Sequence, residues 1–306
     1  MKYRFITAHP EYSDTKWAGF LEVSRSVYHE WKITHERREK AILAYTEMIR
    51  CVFEESGSRY GIDRVCAELR KRGFMASFRQ VRRHMRDLGL KSVHLRCRRR
   101  SLTDSTKSRG EGFPNLVRGL EITIPFQVLS SDISYIKTGE GFEYLCKVKD
   151  VASGVVLTHR MAKHMKAELV EETITQMLKN RELPVGCIFH SDRGAQYTSA
   201  LVGELLRRHG IRQSFSRVGK PGDNAWSESF FANLKKEAVH WIKFETRADA
   251  RMAMFSYIEG FYNTKRIQRR LGYLSPLEWL NNWYTENLEI SGAMGNKCLT
   301  FCPEKC

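Results

Sequence analysis

The sequence is short of acid. It sets 35 Asp and Glu against 51 Lys and Arg, a formal charge of +16 and a pI near 9.6. That balance suggests a polyanionic partner, or at the least a generally basic protein. There is no run of about 18 apolar residues, which excludes a membrane-spanning helix. Met1 to Pro10 has no apolar core of the kind a secretory signal needs. None of the eight cysteines forms a C-x-x-C pair. With neither leader nor span, the thiols are expected to be reduced and cytoplasmic. Cys298, Cys302 and Cys306 could hold zinc, but Pro303 and the missing fourth ligand favour a frayed tail. What is present is 306 residues with 42% apolar content, enough for about two domains.

Residues 15 to 32 suggest two short helices. Trp17, Phe20 and Leu21 have helical spacing, and Ser24 is placed to cap a second segment carrying Val27, Tyr28 and Trp31. The pair is equally a helix-turn-helix or a plain helical hairpin. Thr34 to Glu55 is expected to be one charged helix closed by Gly57. Ile62, Val65, Cys66 and Leu69 define another amphipathic helix, ending at Gly73. Ser77 then starts a helix with Val81, His84, Met85 and Leu88 on one face. This is a second helix-turn-helix pattern, with Ser77 to Leu88 as recognition helix. From Arg59 to Arg109 there are 16 Lys and Arg against four acids. A charge run alone is usually a solvated face. Here it is concentrated on Arg79, Arg82, Arg83 and Arg86 of that helix and on the arm Arg98-Arg99-Arg100, which favours DNA phosphate contact. The expected divisions are a helical region 1–56, a DNA-binding helix-turn-helix domain 57–100, a basic polar linker 101–114, a second domain 115–287 and a tail 288–306.

Beyond the linker the pattern changes to strands. Phe126 to Ile136, Phe142 to Val151 and Val155 to Arg160 form an antiparallel meander, with a turn at Gly139 and Gly141. Lys166 to Lys179 is helical, Val185 to Phe189 a buried strand, Ser199 to His209 a helix and Ile211 to Phe215 a fifth strand. Helices follow over Asp223 to Val239, after the turn Gly219 to Gly222, over Arg247 to Asn263, and from Pro276 to Trp283. Nothing after Asn287 suggests order.

Three acids stand out: Asp132 in a strand, Asp192 just after one, and Glu228 in a helix. Such acids could converge on one point. Convergent carboxylates repel one another unless a divalent cation lies between them, and hard Mg²⁺ suits oxygen ligands. Around the helix, at about 100° per residue, Glu228 falls about 200° from Trp226 and Lys235 about 20° from Glu228. Trp226, Phe230 and Leu234 would form the buried stripe, leaving Glu228 and Lys235 on the other face. Glu237 points the opposite way. Asp150 and Asp223 suit turns or caps. His190 is either a neighbour of the site or a packed core histidine.

The segments SDISYI, HSDRGAQYTS and DNAWSESFF resemble the D-D-E motifs of integrases and transposases. Thirty-five residues separate Asp192 from Glu228, and Lys235 lies seven after Glu228. With YGIDRVCAELRKRG and YNTKRIQRRLGYLSPLEW, the resemblance covers most of the chain. It is closest to the second-reading-frame product of bacterial insertion sequences whose transposase is completed by frameshifting. The resemblance implies an RNase H-like α/β domain, a mixed five-stranded sheet with flanking helices, preceded by an all-α helix-turn-helix region. It implies that Asp132, Asp192 and Glu228 hold two Mg²⁺ ions, with Mn²⁺ as substitute, Asp132 bridging them, and that Lys235 contacts a phosphate. It also implies cutting of terminal inverted repeats and joining of 3′-hydroxyls to target DNA, by a homo-oligomer in the bacterial cytoplasm at the nucleoid. An upstream-frame protein would be a further partner. A regulator with a vestigial catalytic fold, or a nuclease that only hydrolyses, are the alternatives. Arg269 and Arg270 depart from the family's pattern and are expected to add positive charge.

Overall fold

Five helices fill the first of two units, Met1–Val93, in the computed structural model, which describes residues 1–94, 114–217 and 221–292. These are α1 (Lys2–Ala8), α2 (Asp14–Phe20), α3 (Arg25–Glu55), α4 (Ile62–Lys71) and α5 (Phe78–Asp87). The Ser13 side chain accepts from the Lys16 N–H and starts α2. The sequence suggested separate helices before and after Thr34, but α3 is one helix of 31 residues. No glycine or proline interrupts residues 25–55, so nothing breaks its hydrogen-bond ladder. It ends at Gly57, whose φ of 60° an L side chain resists. Helix α1 was not foreseen. Phe5 meets Trp17 edge-on and Tyr3 lies against Tyr28 and Trp31, so aromatic contacts hold α1 and α2 to the start of α3. Further along, Tyr45 contacts Phe74 and His84, and Val65, Cys66, Leu69, Val81 and Met85 are buried between α4, α5 and α3.

The second unit, His94–Cys306, is built on a mixed sheet. Its strands are β1 (Val128–Thr138), β2 (Gly141–Asp150), β3 (Val156–Ala162), β4 (Ile188–Ser191) and β5 (Arg212–Phe215), in the order β3-β2-β1-β4-β5. The first three are antiparallel. β4 pairs parallel with β1, and β5 parallel with β4. This is the RNase H-like arrangement. The parallel pairs require crossovers, supplied by α6 (Ala167–Asn180) and α7 (Ala200–Arg208). Ser199 caps α7 through the Val202 N–H.

Side-chain alternation divides the sheet. Leu129, Cys146, Val148 and Phe189 join Leu169, Ile174, Met177, Val202 and Leu206 of α6 and α7 in the main core. Ser130 and Asp132 of β1, and Lys147 and Lys149 of β2, alternate with these residues. Val185 is fully exposed, not the opening of a buried strand; Gly186, with φ 83°, turns the chain first and β4 starts at Ile188.

After β5, a 3-10 turn (Pro221–Asn224) leads into α8 (Ala225–Leu234), which runs into a π-helical turn, Lys235–Val239. The continuous helix expected over Asp223 to Val239 is therefore three segments. α9 (Arg247–Tyr257) likewise passes into a π turn, Ile258–Tyr262. In each the bond is i to i+5: His240 N–H to the Lys235 carbonyl, and Asn263 N–H to that of Ile258. Thr246 and Asp249 form a capping box at the start of α9. α10 (Pro276–Gly292) extends past Asn287, where order was expected to stop. Among the described residues, no helix is long and apolar enough to cross a membrane.

Candidate active site

Asp132 lies on the central strand, and Asp192 directly follows β4. Ser130 and His190 are the last paired residues of β1 and β4, and each aspartate lies two residues beyond its strand's member of that pair. The two acids thus mark the point where adjacent parallel strands part. The Asp132 carboxylate accepts the Ile133 N–H at 2.8 Å, and Asp192 accepts the Gly194 N–H at 3.0 Å. A Cβ on Gly194 would lie 2.8 Å from Gln196 Oε1 and 3.1 Å from Asp192 Oδ1, so a side chain there would push on Gln196 and on the Asp192 carboxylate.

Glu228 stands on the first turn of α8. Ser227, Phe230, Phe231 and Leu234 are buried beneath it, whereas Glu228 itself is exposed. Trp226, expected in the buried stripe, is only half-buried. Lys235, at the end of α8, lays its ammonium 5.0 Å from the centre of the Tyr135 ring on β1. Burial lowers its pKa and the charge of Asp132 opposes that shift.

Electrostatics link these groups. Burial raises the Asp132 carboxyl well above the ordinary range, Asp192 raises it further, Lys147 and the Ile133 N–H oppose, and Glu228 adds a push upward. Lost hydration also raises Asp192 and Glu228. Asp132, Asp192, Glu228 and Lys235 therefore share one electrostatic neighbourhood. It is not a closed ligand set: among the described residues no three His, Cys, Asp or Glu side chains stand close enough to hold a metal ion together.

The surroundings of α8 contain what the sequence reading missed. Lys147 and Lys149 are buried and reach its first turn, the Lys149 ammonium donating to the Trp226 carbonyl at 2.7 Å. His190, fully buried, bonds Ser214, Ser216 and the Asp223 carbonyl, and burial lowers its pKa; it fastens the turn before α8 and is a packed histidine. Asp223 is held by Arg217 and Asn115, and Asp150 by the N–H groups of Phe126 and Ser153, so both acids serve loops. Glu237 turns inward, away from Glu228, and meets the buried guanidinium of Arg266 at 2.6 Å. The one signal available for Lys147 and Lys149 was a pair of lysines two apart that alternate with Cys146 and Val148. Arg270 is not a free surface charge: it donates to the Val151 and Ala152 carbonyls.

In the helical unit, Arg79, Arg82, Arg83 and Arg86 all lie exposed on α5, opposite buried Val81 and Met85. Arg86 also pairs with Asp87. Arg98, Arg99 and Arg100, with most of the linker and the cysteine tail, lie outside the described residues.

A five-stranded RNase H-like sheet, acids at the parting of β1 and β4, and a helical unit with a capped basic helix together define an integrase-core protein joined to an HTH-like domain. The Integrase core domain family matches residues 123–221, a second Integrase core domain family matches 228–283, and the HTH-like domain family matches 37–100. The transposase for insertion sequence element IS904 of Lactococcus lactis subsp. lactis (strain IL1403) is 36% identical over 242 residues, covering 79% of this chain and 94% of that protein. Transposase InsF for insertion sequence IS3A of Escherichia coli (strain K12) is 34% identical over 289 residues, covering 92% and 99%. The catalytic core domain of BIV integrase superimposes with a TM-score of 0.40 at 19% identity, over 53% of this chain and 99% of that one. The chain belongs to the insertion-sequence transposases of the IS3 and IS904 type.

Proposed function

We propose that this transposase cleaves the ends of its insertion sequence and joins the exposed 3′-hydroxyls to target DNA, with Asp132, Asp192 and Glu228 as its catalytic carboxylates. The observation that carries this reading is the position of Asp132 and Asp192. Each lies two residues past the last paired position of adjacent parallel strands, and each has a carboxyl pushed up by lost hydration. Carboxylates kept so close to one another favour a neutralising cation.

The donor set is oxygen only, which fits Mg²⁺ or Mn²⁺ and not a thiolate- or imidazole-seeking metal. Asp132 and Asp192 would hold it, with Glu228 as third donor from α8. When bound, such ions neutralise phosphodiester charge and activate an oxygen nucleophile. The chain's own groups do the rest. Lys235, poised over Tyr135 beside Asp132, receives a phosphate near the scissile bond. The exposed arginines of α5 hold terminal-repeat DNA, and two ends are paired by a multimer inside the bacterial cell, with an upstream-frame partner assisting.

The test is a strand-transfer assay with labelled terminal-repeat DNA in Mg²⁺ or Mn²⁺. Joined product is expected, lost on chelation. Asp132→Asn, Asp192→Asn and Glu228→Gln should each abolish it while DNA binding persists. Activity in all three variants sinks the assignment. Hydrolysis without joining identifies a nuclease, and binding without nicking a regulator.

A further inference from the structure

We infer that Lys147 is a positioning residue that clamps the Glu228-bearing turn of α8 to the strand bearing Asp132. In the β1–β2 register Lys147 lies directly opposite Asp132, and Lys149 opposite Ser130. All four side chains alternate away from the main core. Lys147 is completely buried, and its ammonium donates to the Ser227 hydroxyl at 2.7 Å, the Ser130 carbonyl at 3.1 Å and the Ser130 hydroxyl at 3.4 Å. The Ser130 and Ser227 hydroxyls also bond each other. The ammonium lies 5.7 Å from the Phe230 ring centre and 5.9 Å from that of Phe231, one turn further along α8. The hydrogen bonds and ring contacts of this cation thus join β1 to the stretch 227–231.

Burying an ammonium is costly unless it is paired and hydrogen-bonded. An apolar side chain would fill the same space between sheet and helix without that cost. What the lysine adds is direction. Its hydrogen bonds fix Ser227, and so fix the azimuth of Glu228, the next residue. An apolar contact would let the helix rotate or slide by fractions of an ångström, and misplacement of a reacting group by about 1 Å costs as much as 10²-fold in rate. Lys149 supports the same turn from the neighbouring position, through the Trp226 carbonyl. The three acids do not form a closed ligand set as they stand, and the placing of α8 against β1 is what sets the distance from Glu228 to Asp132.

The inference rests on the catalytic reading above for its consequence, but the clamp itself can be judged apart from it. Lys147→Met keeps length and volume and removes the donor. Ser227→Ala keeps the lysine and removes one acceptor, which guards against a Lys147 variant that fails to fold. Hydrogen exchange and strand transfer are measured on the full chain, with wild type alongside. In both variants the amides of the first turns of α8 should exchange at least about tenfold faster, while β1 and β2 stay protected. The kcat for strand transfer should fall about 10- to 100-fold, with KM for DNA unchanged. The double variant should be little worse than Lys147→Met alone, because both changes break one link. Unchanged exchange in α8 overturns the clamp whatever the activity. Faster exchange with unchanged kcat overturns the positioning role. If wild type itself gives no joined product, the catalytic reading has failed, and exchange in α8 still decides the clamp.

Discussion

In the helical unit, Arg72 bridges Glu55 and Glu68, Arg50 pairs with Glu47 and Lys32 with Asp14, all on side chains that reach solvent. In the sheet unit, Arg266 meets Glu237 and Arg251 meets Glu143 with both carboxylates fully shielded, and Lys147 and Lys149 lie beneath α8. The two units use charge for different ends. Exposed pairs contribute about 0–1 kcal/mol each, because water and salt screen them. Their surplus of arginine is available to a polyanion. Buried pairs add little net stability, but losing one partner strands the other. They fix geometry. A charge change in the first unit should therefore alter binding, and one in the second should alter folding.

The largest expected effect is in the sheet unit. Glu237→Gln leaves Arg266 without its full partner and should cost about 3–5 kcal/mol, a fall in Tm of roughly 10 °C. Burial alone would raise the Glu237 carboxyl, but His94 and Arg266 together hold it down to about 2. The wild-type advantage should be complete above its ordinary value of 4.5 and shrink as pH falls toward about 2. A gap that widens in acid would contradict the pairing.

Next comes DNA affinity in the helical unit. Affinity of the full chain should fall linearly with the logarithm of salt, and Arg79→Ala or Arg83→Ala should each lessen the slope by about 1 if the residue contacts phosphate. If either reads a base, preference for terminal repeats over random DNA should fall by about 1–3 kcal/mol. Thermal stability should barely move. An arginine variant that unfolds the protein would erase the contrast between the units.

A smaller effect has the opposite sign. The raised pKa of Asp132 means that charging it costs stability, increasingly so as pH climbs from its ordinary 3.8 through the raised value. Asp132→Asn removes that cost, so without metal it should raise the Tm by roughly 2–4 °C at pH 8, for a gain of about 1 kcal/mol, and by less at pH 5. Smallest of all, Arg72→Ala should cost at most about 1 kcal/mol, read from chemical denaturation.

Local signals carried much of the fold. Alternation and turn glycines marked the meander, and serine caps marked α5 and α7. The three acids could be singled out only through resemblance, since their spacing alone specifies no shared site. What escaped depended on distant partners. Lys147 and Ser227 are 80 positions apart, and neither strand nor helix pattern pairs them. Arg266 gave no sign of its role, because its partner Glu237 lies 29 positions earlier. The division expected near Thr34 had no breaker behind it, since no glycine or proline interrupts residues 25–55, and the helix runs through. The π turns escaped because neither segment, Lys235–Val239 or Ile258–Tyr262, carries a proline or other breaker that would set it apart from ordinary helix.

Those π turns bear on how the chain tolerates insertion and deletion. Each spends one residue more than an α turn on its closing hydrogen bond. At Lys235–Val239 the wide turn follows the helix that presents Glu228 and contains the buried Glu237 that fastens to Arg266. Because the wide turn absorbs its extra residue, deleting one residue there lets the segment continue as ordinary α-helix with the chain on either side close to its former azimuth. A deletion upstream, within α8 itself, has no such slack: it turns Glu228 by about 100° relative to Glu237, so the acid and the anchor cannot both keep their places. Length variation is therefore not interchangeable on the two sides of Lys235, and in a scan of single-residue deletions through 229–240 those within 235–239 that spare Glu237 should be the best tolerated.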